Sequence, residues 1–305
     1  MDRSRDPLAE YLRDRRESLT PESVGLPSEP GRRVIGLRRS EVAELAGISA
    51  DYYLRLEQGR GHQPSQQVLS ALSRALRLDH YGDEYLRRVA ALAAGHAAPP
   101  ASTELPSGAI DLLRLHRQTP AYVSNGTMDV VAVNAPGMLL APGGLRPGIN
   151  LVMSVFACYP EPQSEPHWER TARALVSSLR YHADPRDERL QQIVATLTRT
   201  DPRFRRIWRE CGVGQQFNAW PLVYIDRHGW VTLRAEKLAL AGEFGWTLTL
   251  FFAEPQTPGV EALADLVRAG SGTRSSNAHD VVTADRLDPI GSDTVVTEAA
   301  TELAS

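Results

Sequence analysis

The side chains best suited to chemistry in this sequence are few and widely separated. They are two histidine–acid pairs and two cysteines: His167 with Glu169, His182 with Asp184, Cys158 and Cys211. None of these groups has the spacing of a metal site or of a catalytic triad. The motifs G-x-G-x-x-G, G-x-S-x-G and H-E-x-x-H do not occur. We therefore expect no enzymatic activity, no metal site and no cofactor.

Positive charge is carried almost entirely by arginine, because Lys237 is the only lysine among 34 basic residues. The net charge is −3, so the overall charge does not favour a polyanionic partner. Residues 1–96 contain fifteen arginines and fourteen acids. Six of these arginines cluster around one short segment, at Arg32, Arg33, Arg38, Arg39, Arg55 and Arg60. Any binding of nucleic acid must therefore use local charge and a few well-placed contacts.

The segment within this arginine cluster, residues 40–61, reads SEVAELAGISADYYLRLEQGRG. Val42 and Leu45 are three residues apart and are predicted to share one face of a short helix. Gly47 can adopt the left-handed conformation that ends a helix, and Ser49 is a good N-cap for the next one. The pattern predicts two short helices that meet at a sharp, fixed turn.

Two such helices are typical of a helix-turn-helix, in which the first turn of the second helix enters the major groove. Tyr53 and Leu56 are predicted to face inward and to anchor this helix on the first. The predicted DNA-binding residues are Arg38, Arg39, Ser49, Ala50, Asp51, Tyr52, Arg55 and Arg60. We expect Arg55, with Asp51 and Tyr52, to carry sequence preference. The three remaining arginines of this set are expected to contact phosphates.

Two residues of the second helix have alternative interpretations. Glu57 could accept a hydrogen bond from cytosine, but we favour a structural role in which it pairs with an arginine of the first helix, by preference Arg16. Tyr52 either covers the core beside Tyr53 or stacks on thymine methyl groups and donates to phosphate. The residues alone do not decide between these two roles.

The chain is predicted to contain two domains. Residues 1–94 show helical periodicity and form an all-α bundle, residues 95–106 form a linker, and residues 268–305 form a mobile tail. Residues 107–267 alternate between helical and strand-like segments. The predicted strands are AYVSN, MDVVAVN, FNAWPLVYID, GWVTLRAEKLAL and FGWTLTLFFAE. This order predicts an α+β domain with a five-stranded, mainly antiparallel sheet.

Residues 37–64, LRRSEVAELAGISADYYLRLEQGRGHQP, resemble the Cro/repressor-type helix-turn-helix of the xenobiotic-response-element family. More narrowly, DYYLRLEQGRG followed by PSQQVLSALSRALRL resembles the MmyB-like regulators of actinobacteria. In the second domain the similar segments are TPAYVSNGTMDVVAVNAPGMLL, DPRFRRIW and FFAEPQTPGVEAL. The resemblance implies a five-helix DNA-binding domain followed by a PAS-like ligand-binding domain in a transcriptional regulator.

Aromatic residues are concentrated in the second domain, where they could form either a packed core or a ligand pocket. Alternation in FGWTLTLFFAE puts apolar side chains on one face of the strand and Thr247 and Thr249 on the other. The predicted ligand-binding wall is Val131, Val133, Met138, Phe156, Trp208, Trp246, Leu248, Leu250 and Phe252. A wall of this kind would suit an apolar effector, fatty-acid-like or aromatic, better than a charged metabolite.

These expectations combine into a ligand-responsive transcriptional regulator that binds double-stranded operator DNA as a homodimer. With two cysteines and no apolar run of membrane-spanning length, we expect a cytoplasmic protein without membrane attachment. In the alternative, the helix-turn-helix is a protein-docking module that accompanies an interaction or enzymatic domain. That protein would show no salt-dependent affinity for duplex DNA, or it would turn over a metabolite.

Overall fold

The structure is a computed structural model of the chain. It describes residues 6–27, 32, 34, 36–60, 63–93, 105–140, 144–157, 165–210, 212–214, 218–219, 221–240, 245–272 and 281–283. Residue contacts divide the chain into two compact units, residues 1–100 together with 208–214, and residues 101–207 together with 215–305. Of the predicted linker 95–106, residues 95–104 lie outside the described residues. Among the described helices, none combines the length and the hydrophobicity that crossing a membrane requires.

The described part of residues 6–93 is helical, as predicted. The α-helices are α1 (Pro7–Ser18), α2 (Arg39–Ala46), α3 (Ala50–Glu57), α4 (Gln66–Ala75) and α5 (His80–Ala93), with a 3₁₀ turn at Glu22–Val24. The starts of three helices follow from side chains that cap free amides, because Asp6, Ser49 and Ser65 accept hydrogen bonds from N–H groups of the first turn.

The core of this bundle is formed by apolar residues at helical spacing. Leu12, Val42, Tyr53, Leu72 and Leu86 are all fully buried. They come from five different helices, so each helix contributes an inner face to one shared core. Helix α3 packs against α1 and α2, which fixes its position from two sides.

The second unit combines helices with β-strands. Its helices are α6 (Ala109–Leu115), α7 (Leu151–Ala157), α8 (Glu165–His182), α9 (Glu188–Thr200), α10 (Pro202–Glu210), whose last residues cluster with the first unit, and α11 (Pro258–Gly272). Its strands are β1 (Ala121–Ser124), β2 (Val130–Asn134), β3 (Asn218–Ala219), β4 (Leu222–Ile225), β5 (Gly229–Thr232), β6 (Arg234–Ala239), β7 (Thr247–Phe252) and β8 (Val281–Thr283).

The main sheet has the order β3-β6-β7-β1-β2-β8, and β4 and β5 form a separate hairpin. Every described strand pair is antiparallel. The predicted fold class, an all-α bundle followed by an α+β domain with an antiparallel sheet, is confirmed. The five predicted strand segments all form strands. Two of them divide and give one strand each to the main sheet and to the hairpin, and the sixth strand of the main sheet is the edge strand β8.

The division of the two segments occurs at Pro221 and Leu233. Pro221 has no N–H to donate to a sheet, so the chain leaves β3 there and starts β4 in another pairing. The N–H of Leu233 donates to the Pro221 carbonyl at 3.1 Å instead of to a neighbouring strand. Pro221 and Leu233, which this hydrogen bond joins, therefore separate the β4–β5 hairpin from the main sheet.

Part of the segment predicted as a mobile tail is ordered. Helix α11 continues to Gly272, and Val281–Thr283 pairs with β2 as the edge strand β8. Val281 is buried, since its side chain packs against the cluster that contains Val131 and Trp246. A strand of three residues between polar neighbours was too short to detect by periodicity. Residues 273–280 and 284–305 lie outside the described residues.

Apolar side chains pack on both faces of the main sheet. One face carries a cluster with α6, which we call the α6 face: Ala109, Leu113, Ala121, Val123, Val131, Ala132, Trp246, Leu248, Leu250 and Val281. The other, which we call the hairpin face, carries a cluster with the β4–β5 hairpin and α11: Tyr122, Val130, Val133, Leu140, Leu145, Ile225, Val231, Leu233, Ala235, Phe251, Ala262 and Leu266.

Candidate functional site

The turn between α2 and α3 has the geometry that the sequence predicts. Gly47 is left-handed, with φ of +66°, and its N–H donates to the Glu44 carbonyl at 3.1 Å. The Ile48 N–H donates to the Ala43 carbonyl at 3.0 Å, and Ser49 accepts from the Tyr52 N–H at 3.1 Å. The end of one helix and the start of the next are thus fixed by hydrogen bonds within ten residues.

Helix α3 anchors one face and exposes the other. Tyr53 and Leu56 are buried, as predicted. The outward residues are exposed except for Tyr52, which is half-buried: Ser49, Ala50, Asp51, Tyr52 and Arg55. These outward residues begin at the N-terminal end of the helix, where free backbone N–H groups are also available to a phosphate.

One prediction for α2 is wrong. Leu45 was expected to share the buried face with Val42, but it is 38% exposed. The buried stripe of this short helix consists of Val42, Ala43 and Ala46, and Leu45 lies at its edge. Small residues at 43 and 46 let a neighbouring helix approach closely, so the larger side chain is excluded from that contact.

Beneath α3 lies a buried ion-pair network centred on Glu57, which is only 1% exposed. Its Oε1 accepts from Arg16 Nε at 2.6 Å, and its Oε2 accepts from Arg39 Nε at 2.6 Å. Its backbone carbonyl accepts from Arg13 at 3.0 Å. The predicted pairing of Glu57 with Arg16 is therefore confirmed, and the network ties α3 to both α1 and α2.

The electrostatics of this network favour the charged state of both partners. Burial alone would raise the pKa of Glu57, but hydrogen bonds from Arg16 and Arg39 outweigh it and hold the pKa below its ordinary value. Burial alone would likewise lower the pKa of Arg16, and its bond to Glu57 raises that pKa instead. Arg16 also donates to the Leu37 carbonyl at 3.0 Å, which fixes the chain just before α2.

The arginines around α2 have different environments. Arg39 bonds to Glu57 through Nε, yet its side chain stays half-exposed. Arg32 instead has a buried side chain whose guanidinium donates twice to Glu41, at 2.6 Å each, and to the Gly36 carbonyl at 2.8 Å. Because its donors are used inside the fold, Arg32 does not belong to the exposed charge around α3, contrary to the predicted cluster.

The remaining arginines of the predicted interface lie at the surface. Arg38 is the exposed N-cap of α2, and its backbone N–H donates to Glu41 at 2.6 Å. Arg55 pairs with Asp51 one turn earlier at 3.2 Å, and both side chains remain more than half exposed. Arg60 is exposed just beyond α3. The structure thus brings the predicted set onto the surface around one short helix.

The predicted ligand-binding wall does not form one surface. Five of its residues lie on the α6 face, namely Val131, Trp246, Leu248, Leu250 and Phe252. Val133 and Met138 belong to the hairpin face. Phe156 packs among helices, and Trp208 clusters with the first unit. Simple alternation places Val131 and Val133 on one face, but a β-bulge in the pairing of β1 with β2 shifts the register next to Val131, so the two valines lie in clusters on opposite faces.

The α6 face is closed by packing. Leu248 is only 1% exposed, and its cluster includes Ala109 and Leu113 of α6. With Trp246 and Leu250 similarly buried, these side chains already make the contacts of a close-packed interior. These side chains therefore form part of the core, and the expectation that they line a ligand site stays a prediction.

Phe156 lies at the join between the sheet and the helices of the second unit. Its ring packs edge-on against Trp168 of α8, 5.5 Å between centroids, and Phe204 of α10, 5.2 Å. Leu151, one and a half turns earlier on α7, packs against the hairpin-face cluster. One short helix therefore connects the hairpin face with the helical layer.

A polar patch on the hairpin face was not predicted from the sequence. Thr249 on β7 pairs with Lys237 on β6 and with Tyr122 on β1, and Thr247 pairs with Ser124. Paired residues of antiparallel strands share a face, so these five side chains form what we call the polar band. Its sequence signals were the two threonines within TLTLFF and the isolated lysine.

The histidine–acid candidates do not assemble into a catalytic group. His167 contacts Arg170 at 2.7 Å on the exposed side of α8, and His182 is buried at the end of that helix. Within the described residues, no three His, Cys, Asp or Glu side chains are placed to hold a metal ion. Cys158 and Cys211 lie outside the described residues.

The helix-turn-helix and the α+β unit together define a class of protein, the two-domain transcription regulators that couple a DNA-binding module to a ligand-binding module. Residues 7–84 match the family model of a helix-turn-helix domain, and residues 105–266 match that of the MmyB-like transcription regulator ligand binding domain. A search of curated proteins finds no match. The chain belongs to the MmyB-like transcription regulators. This architecture points to a non-enzymatic, DNA-binding regulator.

Proposed function

We propose that this protein binds a specific operator sequence as a homodimer through α3 and that a small molecule in the second unit controls this binding. The observation that carries the proposal is the pairing of an exposed α3 face with a buried Glu57 network beneath it. Because a recognition helix must present its side chains in one fixed orientation, rigid attachment to α1 and α2 serves base reading directly.

Within this interface, the residues divide by the groups they can contact. Arg55 is placed to donate to base edges, with Asp51 setting its position through their ion pair. Arg38, Arg39 and Arg60 are placed to contact phosphates on either side of α3. Ser49 and Ala50 bring the helix N-terminus close to the DNA backbone.

A dimer follows from the small size of the module. A single helix-turn-helix buries little surface, and specificity is gained by occupying two half-sites about one helical turn apart. The exposed arginines of one copy supply only a few phosphate contacts, so two copies are needed to offset competition from non-specific DNA.

For the sensor, we propose a site in the PAS-like second unit, between the hairpin face and α7. Val133 and Met138 of the predicted wall belong to this face, and Phe156 lies on the helix that borders it. A ligand bound here shifts DNA affinity only by its differential affinity for two conformations, so operator DNA and ligand must affect each other's affinity reciprocally.

The experiment is a selection of operator sequences from a random duplex library by the full-length protein, followed by binding titrations over a salt series. We expect one enriched, two-fold symmetric motif and an affinity that falls steeply with salt. Arg199→Ala serves as the control, since it removes an exposed arginine from α9 of the second unit. Absence of enrichment together with salt-independent binding would favour the protein-docking alternative.

A further inference from the structure

Arg32 does not belong to the exposed arginines around α3, yet its hydrogen bonds lead directly to one of them. Its guanidinium donates from Nη1 and Nη2 to the two carboxylate oxygens of Glu41, at 2.6 Å each. Oε2 of Glu41 also accepts from the backbone N–H of Arg38, at 2.6 Å. The carboxylate of Glu41 therefore connects a buried guanidinium to the backbone of an exposed arginine.

The Arg32–Glu41 pair is shielded from water. The two side chains are 8% and 17% exposed. Hydrogen bonds from Arg32 outweigh burial and hold the pKa of Glu41 below its ordinary value. Exposed ion pairs fix their side chains only weakly, because water competes for the same groups. A shielded fork that uses both carboxylate oxygens keeps one geometry, so it can serve as a rigid link.

The backbone that leads into Arg38 is also fixed from the side of α1. The Leu37 N–H donates to the Arg16 carbonyl at 3.0 Å, and the Leu37 carbonyl accepts from Arg16 Nη1 at 3.0 Å. Gly36 lies so close to the backbone of α1 that a Cβ would approach it to 2.6 Å. The Gly36 carbonyl accepts from Arg32 Nη2 at 2.8 Å. The chain before Arg38 is thus held between α1 and the guanidinium of Arg32.

We propose that Arg32 is a positioning residue for DNA binding, which through Glu41 holds the backbone of Arg38 in the orientation from which the Arg38 side chain contacts a phosphate. This inference rests on the proposed DNA-binding function. It assigns a role to a buried residue that does not itself touch DNA. The neighbouring Arg39 has a separate support in Glu57, so two phosphate-binding arginines are held by two different carboxylates.

Arg32 also neutralises an acid that would oppose the phosphate contact. Glu41 lies in the first turn of α2, where an uncompensated carboxylate would repel the phosphate assigned to Arg38. Arg32→Lys would keep the charge, but the single nitrogen of the new side chain could not reproduce the fork to both oxygens of Glu41 and to the Gly36 carbonyl. This substitution therefore separates position from charge.

The test uses the full-length protein and the selected operator, with one phosphate at a time replaced by a neutral methylphosphonate. The phosphate bound by Arg38 is the one whose replacement weakens binding of the wild type but not of Arg38→Ala. We expect Arg32→Lys to become equally insensitive at that phosphate. It should also lower the slope of log affinity against log salt by roughly one, as Arg38→Ala does, although its charge is unchanged.

The double variant Arg32→Lys with Arg38→Ala tests whether the two residues act in series. A residue that acts only through Arg38 has nothing left to position in this background, so the double variant should bind no more weakly than Arg38→Ala alone. Additive losses would overturn the proposal, because they would mean that Arg32 contacts DNA itself. The ratio of operator to scrambled-duplex affinity should stay near the wild-type value, since a phosphate contact does not select bases.

Two further variants separate positioning from a general loss of structure. Arg87→Lys breaks a comparable fork on α5, in which Arg87 donates to both oxygens of Asp83 at 2.8 and 3.2 Å, and should leave the methylphosphonate pattern unchanged. Glu41→Gln breaks the link from its other side and should lose the same phosphate contact, whereas the mere removal of a negative charge would strengthen binding. Glu41→Gln also provides the test if Arg32→Lys does not fold.

Wild-type sensitivity at the Arg38 phosphate in a folded Arg32→Lys or Glu41→Gln protein would overturn the proposal. So would a loss of the operator preference, which would place the effect in α3, or the lack of any phosphate that distinguishes the wild type from Arg38→Ala. The salt-dependent affinity of the wild type for duplex DNA is measured first on the same preparation. Its absence would contradict the proposed function and this inference together, whereas the other outcomes concern Arg32 alone.

Discussion

Two buried polar groups of this protein, one in each unit, differ in how far their hydrogen bonds are satisfied. In the first unit, the carboxylate of Glu57 is buried, yet both oxygens accept hydrogen bonds from arginines of α1 and α2. In the second unit, Thr247 is similarly buried, and its Oγ1 has no hydrogen-bond partner within the described residues.

The second unit also contains a buried polar group that is fully satisfied, the carboxylate of Asp129. Asp129 accepts from Thr127 at 2.7 Å, Asn150 at 2.9 Å and Arg189 at 3.0 Å. A fully satisfied polar network makes a rigid support, whereas an unsatisfied buried hydroxyl destabilises the fold around it. The Glu57 network is therefore expected to hold α3 in place, and Thr247 is expected to add no such support.

The largest effect should come from breaking the buried ion pairs of Glu57. Glu57→Gln removes the charge that compensates Arg16 in the interior, so the free energy of unfolding of the first unit should fall by about 3–5 kcal/mol. Hydrogen exchange of peptides from α1 and α3 isolates this unit from the other. Glu44→Gln removes an exposed acid from α2 and should leave exchange unchanged.

A double-mutant cycle sharpens the same point. Removing Arg16 and Glu57 singly and together should give a coupling energy of about 0.5–3 kcal/mol in the stability of the first unit. Additive effects would mean that Glu57 acts at the DNA and that the buried network contributes nothing to the support of α3.

The next effect concerns the half-exposed member of the network. Arg39→Ala should weaken binding to specific and non-specific duplexes about equally, because a phosphate contact does not select bases. It should also reduce the slope of log affinity against log salt by roughly one. Binding titrations over a salt series measure both quantities, and an unchanged slope would contradict the phosphate assignment.

A smaller change, this time an increase in the free energy of unfolding, is expected in the second unit. Thr247→Val replaces an unsatisfied hydroxyl with a methyl group of similar size, so the protein should gain about 1 kcal/mol in the free energy of unfolding. Thr127→Val removes a hydroxyl that donates to Asp129 at 2.7 Å and should cost about 1–3 kcal/mol instead. Urea unfolding monitored by tryptophan fluorescence measures both changes. A change of the same sign in the free energy of unfolding of the two variants would contradict the prediction.

The smallest predicted effect is a dependence on pH. Hydrogen bonds from Arg206 and Arg173 lower the pKa of Glu169 from 4.5 to about 2. A folded pKa below the unfolded value stabilises the protein above about pH 4.5, and this stabilisation is lost as the pH falls toward about 2. Because these pairs are partly solvated, the loss should be less than about 1 kcal/mol.

Unfolding measured from about pH 5 downward checks this expectation in the wild type and in Glu169→Gln. The variant should start less stable and should show a flatter acid dependence across that window. Identical acid dependence in the two proteins would show that the Glu169 pairs do not contribute.

The helix-turn-helix could be predicted in detail because its determinants are local. Gly47 and Ser49 define the turn through their own backbone and cap preferences, and Tyr53 shows its burial through helical spacing. The Glu57–Arg16 pair spans 41 residues. It could still be predicted, because a buried acid needs a cation nearby and only a few arginines of the first helix could reach it.

The core of the second unit could not be predicted in the same detail, because it depends on pairings between strands that are distant in sequence. Alternation correctly separated Leu248 from Thr249, but nothing local shows which face α6 covers or that Lys237 pairs with Thr249. The wall failed where it combined Val131 with Val133, since a β-bulge between β1 and β2 places these two residues in clusters on opposite faces. Pairing register, rather than composition, decides what lines a site between sheet and helices.

The most direct test of the central claim, that α3 reads DNA, is the ratio of operator to scrambled-duplex affinity for wild type and Arg55→Ala, measured at one salt concentration. Arg55→Ala should lower the operator affinity by about 1–3 kcal/mol and change the scrambled-duplex affinity far less, so the ratio collapses. The second-unit control Arg199→Ala should leave the ratio intact. An unchanged ratio in Arg55→Ala, with operator binding preserved, would contradict the assignment of α3 as the recognition helix.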